Sequence, residues 1–376
     1  MPSIEQNILA CVTELNPDLK RLRELMSYDV DRNLLIRMAM KEDLAGFLYK
    51  RLLESGMLQS IDINHKERLR SFYYQTVASN LRMIHGLKEV LSDLNQRKSR
   101  VVLLQGICLL GDIYQDIGLR PLKDIDLRVS KRGFPALTHV LGSLGYQADP
   151  VYPRVFRKGN IFFDIHTDIL WADRIRHCKW LLKDIQDHMD QDTRIILFEG
   201  EEALCLNRYD QILYLSLHAL KHNVGRLIWL VDIKNLLLRW EDADWETLFN
   251  RAEAAGQEKT LSCILFLLLH MLDFQLPSRA QEWFKNKRPG FFRKMVLERR
   301  IKRGALPVWA PLLLLPDGKR WRQALPFILE TLFPRPEILR PLFSHSHELN
   351  LWQLYWRRIW QLFAMFRIAS KGDSHV

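Results

Sequence analysis

The stretch V-V-L-L-Q-G-I-C-L-L-G-D-I-Y-Q-D-I-G-L-R-P-L-K-D-I-D-L-R-V, residues 101–129, is where a chain of helical character first turns to strand. Val101 to Leu104 form a short, continuous apolar run of the kind buried on both faces of a sheet. Gln105 and Gly106 then open a helix over Ile107 to about Asp116, a loop covers Gly118 to Lys123, and a second strand runs from Asp124 to Val129. Side chains alternate along a strand, so Asp124 and Asp126 leave one face while Ile125, Leu127 and Val129 enter the core. Two neighbouring carboxylates repel unless a cation lies between them. The pattern suits Mg²⁺, which takes one or two carboxylates and fills its other positions with water and phosphate oxygens.

A helix near Phe134 to Leu144, closed by Gly145, and strand-like segments at Tyr146 to Val151, Arg154 to Arg157 and Ile161 to Ile169 complete a β-α-β-α-β-β-β order. In I-F-F-D-I-H-T-D, residues 161–168, Ile161, Phe163 and Ile165 share one face; Asp164, His166 and Asp168 share the other. Asp164 can thus join Asp124 and Asp126 as the third carboxylate of a two-metal site for in-line phosphoryl or nucleotidyl transfer. A lone D-x-D also fits an exposed loop or strand edge, so its setting matters. That setting includes Gly106 at a strand-to-helix junction, where backbone N–H groups and a helix N-terminus can approach phosphates. Neither the P-loop pattern nor G-x-G-x-x-G is present there.

The flanks read as helical. Residues from Ile4 to about Gln96 show helical spacing, including a run from Leu34 to Met57 and a long one from His65. After Gly200, helices are expected at Ala203 to Asn207, Gln211 to His222, Leu227 to Trp240, Trp245 to Ala255 and Thr260 to Leu272. The organisation expected is an N-terminal helical region (1–96), an α/β core (97–200) and a C-terminal helical region (201–376), basic and Trp-rich from about 279. His218, His222, Arg226, Trp229 and Asp232 recur at steps of three and four, forming one polar stripe if Gln211 to Trp240 is continuous; Gly225 is the candidate break. The stripe reads as either a buried hydrogen-bond network or a nucleotide-facing wall. A zinc site is disfavoured because no third ligand accompanies H-x-x-x-H. His345-Ser346-His347 reads as a solvated loop.

These residues resemble a known family. The run from Val101 to Val129, then F-D-I-H-T-D at residues 163–168, then L-H-A-L-K-H-N-V-G-R-L-I-W-L-V-D-I at 217–233, is similar to the bacterial uncharacterised nucleotidyltransferase family of the DNA polymerase beta-like superfamily. The resemblance extends from about residue 30 to 340, through L-F-P-R-P-E-I-L-R, and is densest from Leu103 to Asp168. It implies an α+β fold, a nucleotidyltransferase-type mixed sheet flanked by helices. It further implies that Gly106 belongs to the nucleotide-binding turn, that Asp124, Asp126 and Asp164 hold Mg²⁺, and that the 218–232 stripe faces the cleft. Arg120 matches the family's arginine. Where the family carries a lysine before the glycine, this chain has Gln105, an amide donor without fixed charge. Arg120 and Lys123 are candidates to supply that charge, and Gln105, Gly106, Arg120, Lys123, His166, His218, His222 and Arg226 form the expected nucleotide-binding set.

The composition is that of a folded soluble protein: 376 residues, 48% hydrophobic and 26% charged, sufficient for a large core and unlike a disordered chain. Five scattered cysteines without a C-x-x-C pair and an N-terminus lacking a signal-like charge pattern point to the cytoplasm. The apolar stretches Leu261 to Leu276 and Val308 to Leu315 are interrupted and too short to span a bilayer. The net charge of +11 is concentrated at one end: residues 279–376 hold 19 Lys/Arg against 7 Asp/Glu, the rest 36 against 37. Six of the 11 tryptophans lie there too, which suits RNA, an acidic partner protein or an anionic membrane surface. From Leu349 to Ile368, aromatic residues recur at steps of three and four; the preferred reading is a packed core stripe, the other a contact surface. The expected activity is Mg²⁺-dependent transfer of a nucleoside monophosphate from a triphosphate such as ATP to an acceptor (small molecule, protein or RNA). The alternative is a degenerate member that binds nucleotide or a partner without turnover.

Overall fold

The computed structural model describes residues 3–150, 152–168, 192–307, 309–314, 321–340 and 349–371, with His177, Met189 and Phe343; for 312–313, 321–324 and 364–371 the backbone alone is described. His345-Ser346-His347 lies outside the described residues. The architecture is α+β: helices surround a seven-stranded mixed sheet.

The strands are β1 (Val102–Leu103), β2 (Ile125–Arg128), β3 (Gln147–Ala148), β4 (Val155–Lys158), β5 (Ile161–His166), β6 (Thr193–Phe198) and β7 (Glu201–Leu206), in the spatial order β3-β4-β5-β2-β1-β7-β6. Every residue of β2 is buried, as a central strand requires. It runs parallel to β5 and antiparallel to β1. The long helix α5 (Ile63–Gln96), N-capped by Asp62, packs against β5 and β7. Its Gly86 lies so close to Tyr146 and Ile161 that a Cβ there would sit 2.7 Å from the Tyr146 hydroxyl. Since Ile161 shares a face with Phe163 and Ile165, α5 covers the apolar face of the sheet and leaves the Asp126–Asp164 face to the cleft.

Three expectations are corrected. Ala203 to Leu206 is strand: β6 and β7 form a hairpin through Glu199 (φ 50°) and Gly200 (φ 86°), and β7 joins the sheet parallel to β1, Leu204 beside Val102. Two positive φ angles are what a type I′ hairpin turn needs, and Glu-Gly is not among its usual dipeptide signals. The run from Leu34 to Met57 is two helices, Arg32–Lys41 and Ala45–Glu54, broken at Asp43 with φ 59°. The aromatic stripe of the last helix is a surface feature: Trp352, Trp356, Trp360 and Phe363 are exposed, and among the described side chains of that helix only Leu354 is fully buried. The polar stripe also divides, between α8 (Arg208–Lys221) and α9 (Ile228–Leu237). The break falls at Asn223 and Val224, which take positive φ, rather than through a left-handed Gly225.

Cys108 and Cys205 are paired as a disulfide across 97 residues of sequence, joining the helix after β1 to β7; their distance in sequence hid the pairing. No helix among the described residues is long and apolar enough to cross a membrane.

Candidate active site

The carboxylates stand where the pleat puts them. Asp126 and Asp164 are Cα partners across the parallel β2–β5 pair, so their side chains leave the same face side by side. Asp124 precedes β2 on that face. His166, two residues beyond Asp164, directs Nε2 between the two, 2.9 Å from Asp126 Oδ1 and 3.7 Å from Asp164 Oδ2. Ligand atoms of Asp126, Asp164 and His166 all lie within 4.8 Å of one another. Burial opposes a charge on His166, yet the hydrogen bond to Asp126 and the field of Asp164 raise its pKa above the ordinary value. Desolvation within the cleft, then the Asp126 and Asp164 charges, push the Asp124 carboxyl up to about 7 although the residue still reaches solvent. So concentrated a negative charge fits a divalent cation held by carboxylate oxygens.

These residues form the floor of a cavity of about 310 Å³. All eleven residues expected from sequence line it: Gln105, Gly106, Arg120, Lys123, Asp124, Asp126, Asp164, His166, His218, His222 and Arg226. Their situations differ. Gly106 is needed for close packing: a Cβ there would lie 2.2 Å from Arg120 Nη1 and 2.6 Å from Leu122 Cδ2. Gln105 takes φ 52°, a conformation costly for a residue with a side chain, and hydrogen-bonds Tyr214. Arg120 is buried with its guanidinium on Asp232 (Nη2 to Oδ2 2.8 Å), and Asp232, fully buried, also accepts from the Tyr114 hydroxyl at 2.6 Å. Its charge is therefore matched inside the protein, which leaves Arg120 as a support of the turn. The exposed Lys123 and the half-buried Arg226 both face Asp43, at 3.6 and 3.1 Å.

On the helical wall, His218, His222 and Trp229 form a ring cluster although a loop separates their helices, with centroids 4.6 to 5.6 Å apart. Arg226 lies over Trp229 at 5.6 Å. Burial first, then the neighbouring His222 and Lys221, holds the His218 imidazole well below its ordinary pKa, so it is neutral. His222 is exposed at the rim, yet desolvation by the cleft around it, with the charge of Lys221 second, lowers its pKa to about 4. Sequence reasoning missed Asp43, Arg154, Tyr214 and Lys221, which also line the cavity. Asp43 comes from a break in an apparently continuous helix, and Arg154 from the turn just before β4. Tyr214 and Lys221 stand at i−4 and i+3 from His218, a spacing that could have drawn them into the stripe.

Residues 28–273 match the family model described as "Uncharacterised nucleotidyltransferase". The chain belongs to that family. No curated protein and no solved structure matches it. The family's matched region contains every carboxylate and ring of the cavity, and ends before the basic, tryptophan-rich part of the chain.

Proposed function

We propose that this nucleotidyltransferase family member moves a nucleoside monophosphate from a nucleoside triphosphate to an acceptor hydroxyl or phosphate, with Mg²⁺. The observation that carries the reading is the in-register pair Asp126–Asp164 on the floor of a cavity whose rim bears Lys123, Lys221 and Arg226. Asp124, Asp126 and Asp164 would hold the metal, which supplies charge neutralisation and orientation of phosphate oxygens when bound. The acceptor oxygen forms a bond to the α-phosphorus, the bond from that phosphorus to the bridging oxygen breaks, and pyrophosphate leaves. Asp164 takes the acceptor's proton. Lys123 and Arg226 face the triphosphate, while Trp229 and the neutral His218 and His222 offer an uncharged wall for the base.

A second reading, nucleotide binding without turnover, is favoured by one feature: Gln105 brings no fixed charge ahead of Gly106, and its amide is engaged with Tyr214. Titration of each triphosphate with Mg²⁺ into the wild type and Asp124→Asn/Asp126→Asn, with pyrophosphate followed in the same samples, separates the two. Metal-dependent binding lost in the variant supports the site, and pyrophosphate release supports turnover. Binding without release favours the second reading, and no binding by the wild type removes both.

A further inference from the structure

The final described helix, α17 (Leu351–Lys371), is attached by one face and bare on another. Leu354 is fully buried, the Tyr355 hydroxyl donates to the Pro334 carbonyl at 2.9 Å, and Arg358 Nε donates to the Leu332 carbonyl at 2.9 Å. The other face carries Trp352 (74% exposed), Trp356 (48%), Trp360 (60%) and Phe363 (61%). Their steps of four, four and three place them in one line, ring against ring at 6.0 to 6.4 Å. A globular protein rarely leaves four large aromatic rings contiguous in water. The rings are also unnecessary to the fold's interior, since the buried contacts lie on the attached side.

Charge decides what covers this face. From Leu349 to Lys371 the sequence holds Arg357, Arg358, Arg367 and Lys371 and no acidic residue, within a C-terminal region of 19 Lys/Arg against 7 Asp/Glu. A second copy would bring the same positive charge against itself. An indole has an apolar body and one N–H, the chemistry of the boundary between acyl chains and headgroups, and cationic neighbours favour anionic lipid. Arg357 and Arg358 at mid-helix exclude a spanning orientation, so the helix would lie in the plane of the interface along its length of roughly 30 Å. We infer that the Trp352–Trp356–Trp360–Phe363 face docks the protein on an anionic membrane surface. The inference is independent of the activity proposed for the cleft, because none of the described side chains of α17 lines that cavity.

The test is co-sedimentation of the full chain with vesicles of phosphatidylcholine alone and of phosphatidylcholine containing about 30% phosphatidylglycerol. The wild type is expected to bind the anionic vesicles roughly tenfold more strongly, with loss in high salt. Trp352→Ser/Trp356→Ser/Trp360→Ser should weaken that binding by about tenfold or more, and Arg357→Glu by about fivefold, with unfolding midpoints unchanged. Because Arg357→Glu keeps every ring, it retains a folded reporter if the triple variant fails to fold. Absence of wild-type binding to anionic vesicles overturns the inference. So does an unchanged affinity in both variants. A dimer or an RNA complex that the triple variant loses while vesicle binding persists would assign the face to that partner instead.

Discussion

Asp126 and Asp164 face each other across two parallel strands, with the single Nε2 of His166 at 2.9 Å from one and 3.7 Å from the other. Without metal, that imidazole, hydrogen-bonded to Asp126, offsets part of the charge of a cluster of three carboxylates. Replacing Asp126 by Asn removes one repulsive charge and weakens the hydrogen bond from His166, for which the amide oxygen remains an acceptor, two effects of opposite sign. The expected change in metal-free stability is therefore small, within about 1 kcal/mol. The added stabilisation by Mg²⁺ and triphosphate should vanish. Thermal unfolding with and without both ligands checks this; a retained ligand-induced shift would remove Asp126 from the binding site.

Gly106→Ala should behave as a core defect. Its Cβ would meet Arg120 Nη1 at 2.2 Å, and Arg120 cannot retreat without breaking its buried pair with Asp232. A cost of about 3 kcal/mol is expected, read as a lower urea midpoint. Gly142→Ala, with nothing within 4 Å of the added methyl, is the control and should be neutral or stabilising by up to about 1 kcal/mol. Equal effects at the two positions would mean that the turn tolerates a side chain.

Arg300 lies outside the matched region yet fixes part of the cleft. It is buried, donates from Nε to the Val224 carbonyl at 2.7 Å, and from Nη2 to Glu42 Oε2 at 2.7 Å. Glu42 Oε2 also accepts the Leu227 N–H at 2.6 Å. The loop from Val224 to Leu227, which carries Arg226, is thus held by a side chain from the helix Phe291–Arg303. Arg300→Ala leaves Glu42 buried and unmatched, at an expected cost of about 3–5 kcal/mol. At temperatures where the variant stays folded, triphosphate affinity should fall as well. Unchanged affinity in calorimetry would show that the loop holds its place without the clamp.

Much of this arrangement is legible in the chain. The period-two pattern of Asp124 to Val129 and Ile161 to Asp168 places the carboxylates on one face without any coordinates, and the register of β2 with β5 then makes Asp126 and Asp164 partners. What escaped depends on contacts remote in sequence. Strand β7 is defined by its pairing with β1 about a hundred residues earlier, and its hairpin turn carries an atypical Glu-Gly. Asp43 looks like an interior helical residue until its positive φ is known. Arg120 looks like a phosphate ligand until Asp232 is found beneath it. The tryptophans of α17 have helical spacing whichever way they face, because periodicity defines a stripe and says nothing of what lies opposite.

Two histidines should pull stability in opposite directions with pH. His218 is held neutral, chiefly by burial, so the unfolded chain takes up a proton that the folded chain refuses. Its contribution is present above the unfolded value near 6.5 and is lost as pH falls below it, at up to about 1.4 kcal/mol per pH unit. For His166 the folded pKa is raised, so protonation adds stability at low pH, and that addition is lost as pH rises through the raised value. Urea midpoints between about pH 5 and 8 should therefore show a shallower acid-side loss in His218→Gln and a steeper one in His166→Gln. Identical slopes in the two variants would contradict these protonation states.

Asp43 occupies the position that a phosphate would contest. Its carboxylate faces Arg226 at 3.1 Å and Lys123 at 3.6 Å, and its φ of 59° is a strained backbone placement. Asn accepts the same left-handed backbone, so Asp43→Asn removes the charge and leaves the turn between the two helices in place. The two cations then meet a triphosphate without first separating from a carboxylate. Affinity for triphosphate should rise severalfold at low ionic strength, and the gain should fade as salt shortens the screening length to about 8 Å near physiological conditions. Calorimetric titrations at two salt concentrations read both effects. Weaker binding by Asp43→Asn would assign Asp43 the opposite role, that of aiming Lys123 and Arg226 into the cleft.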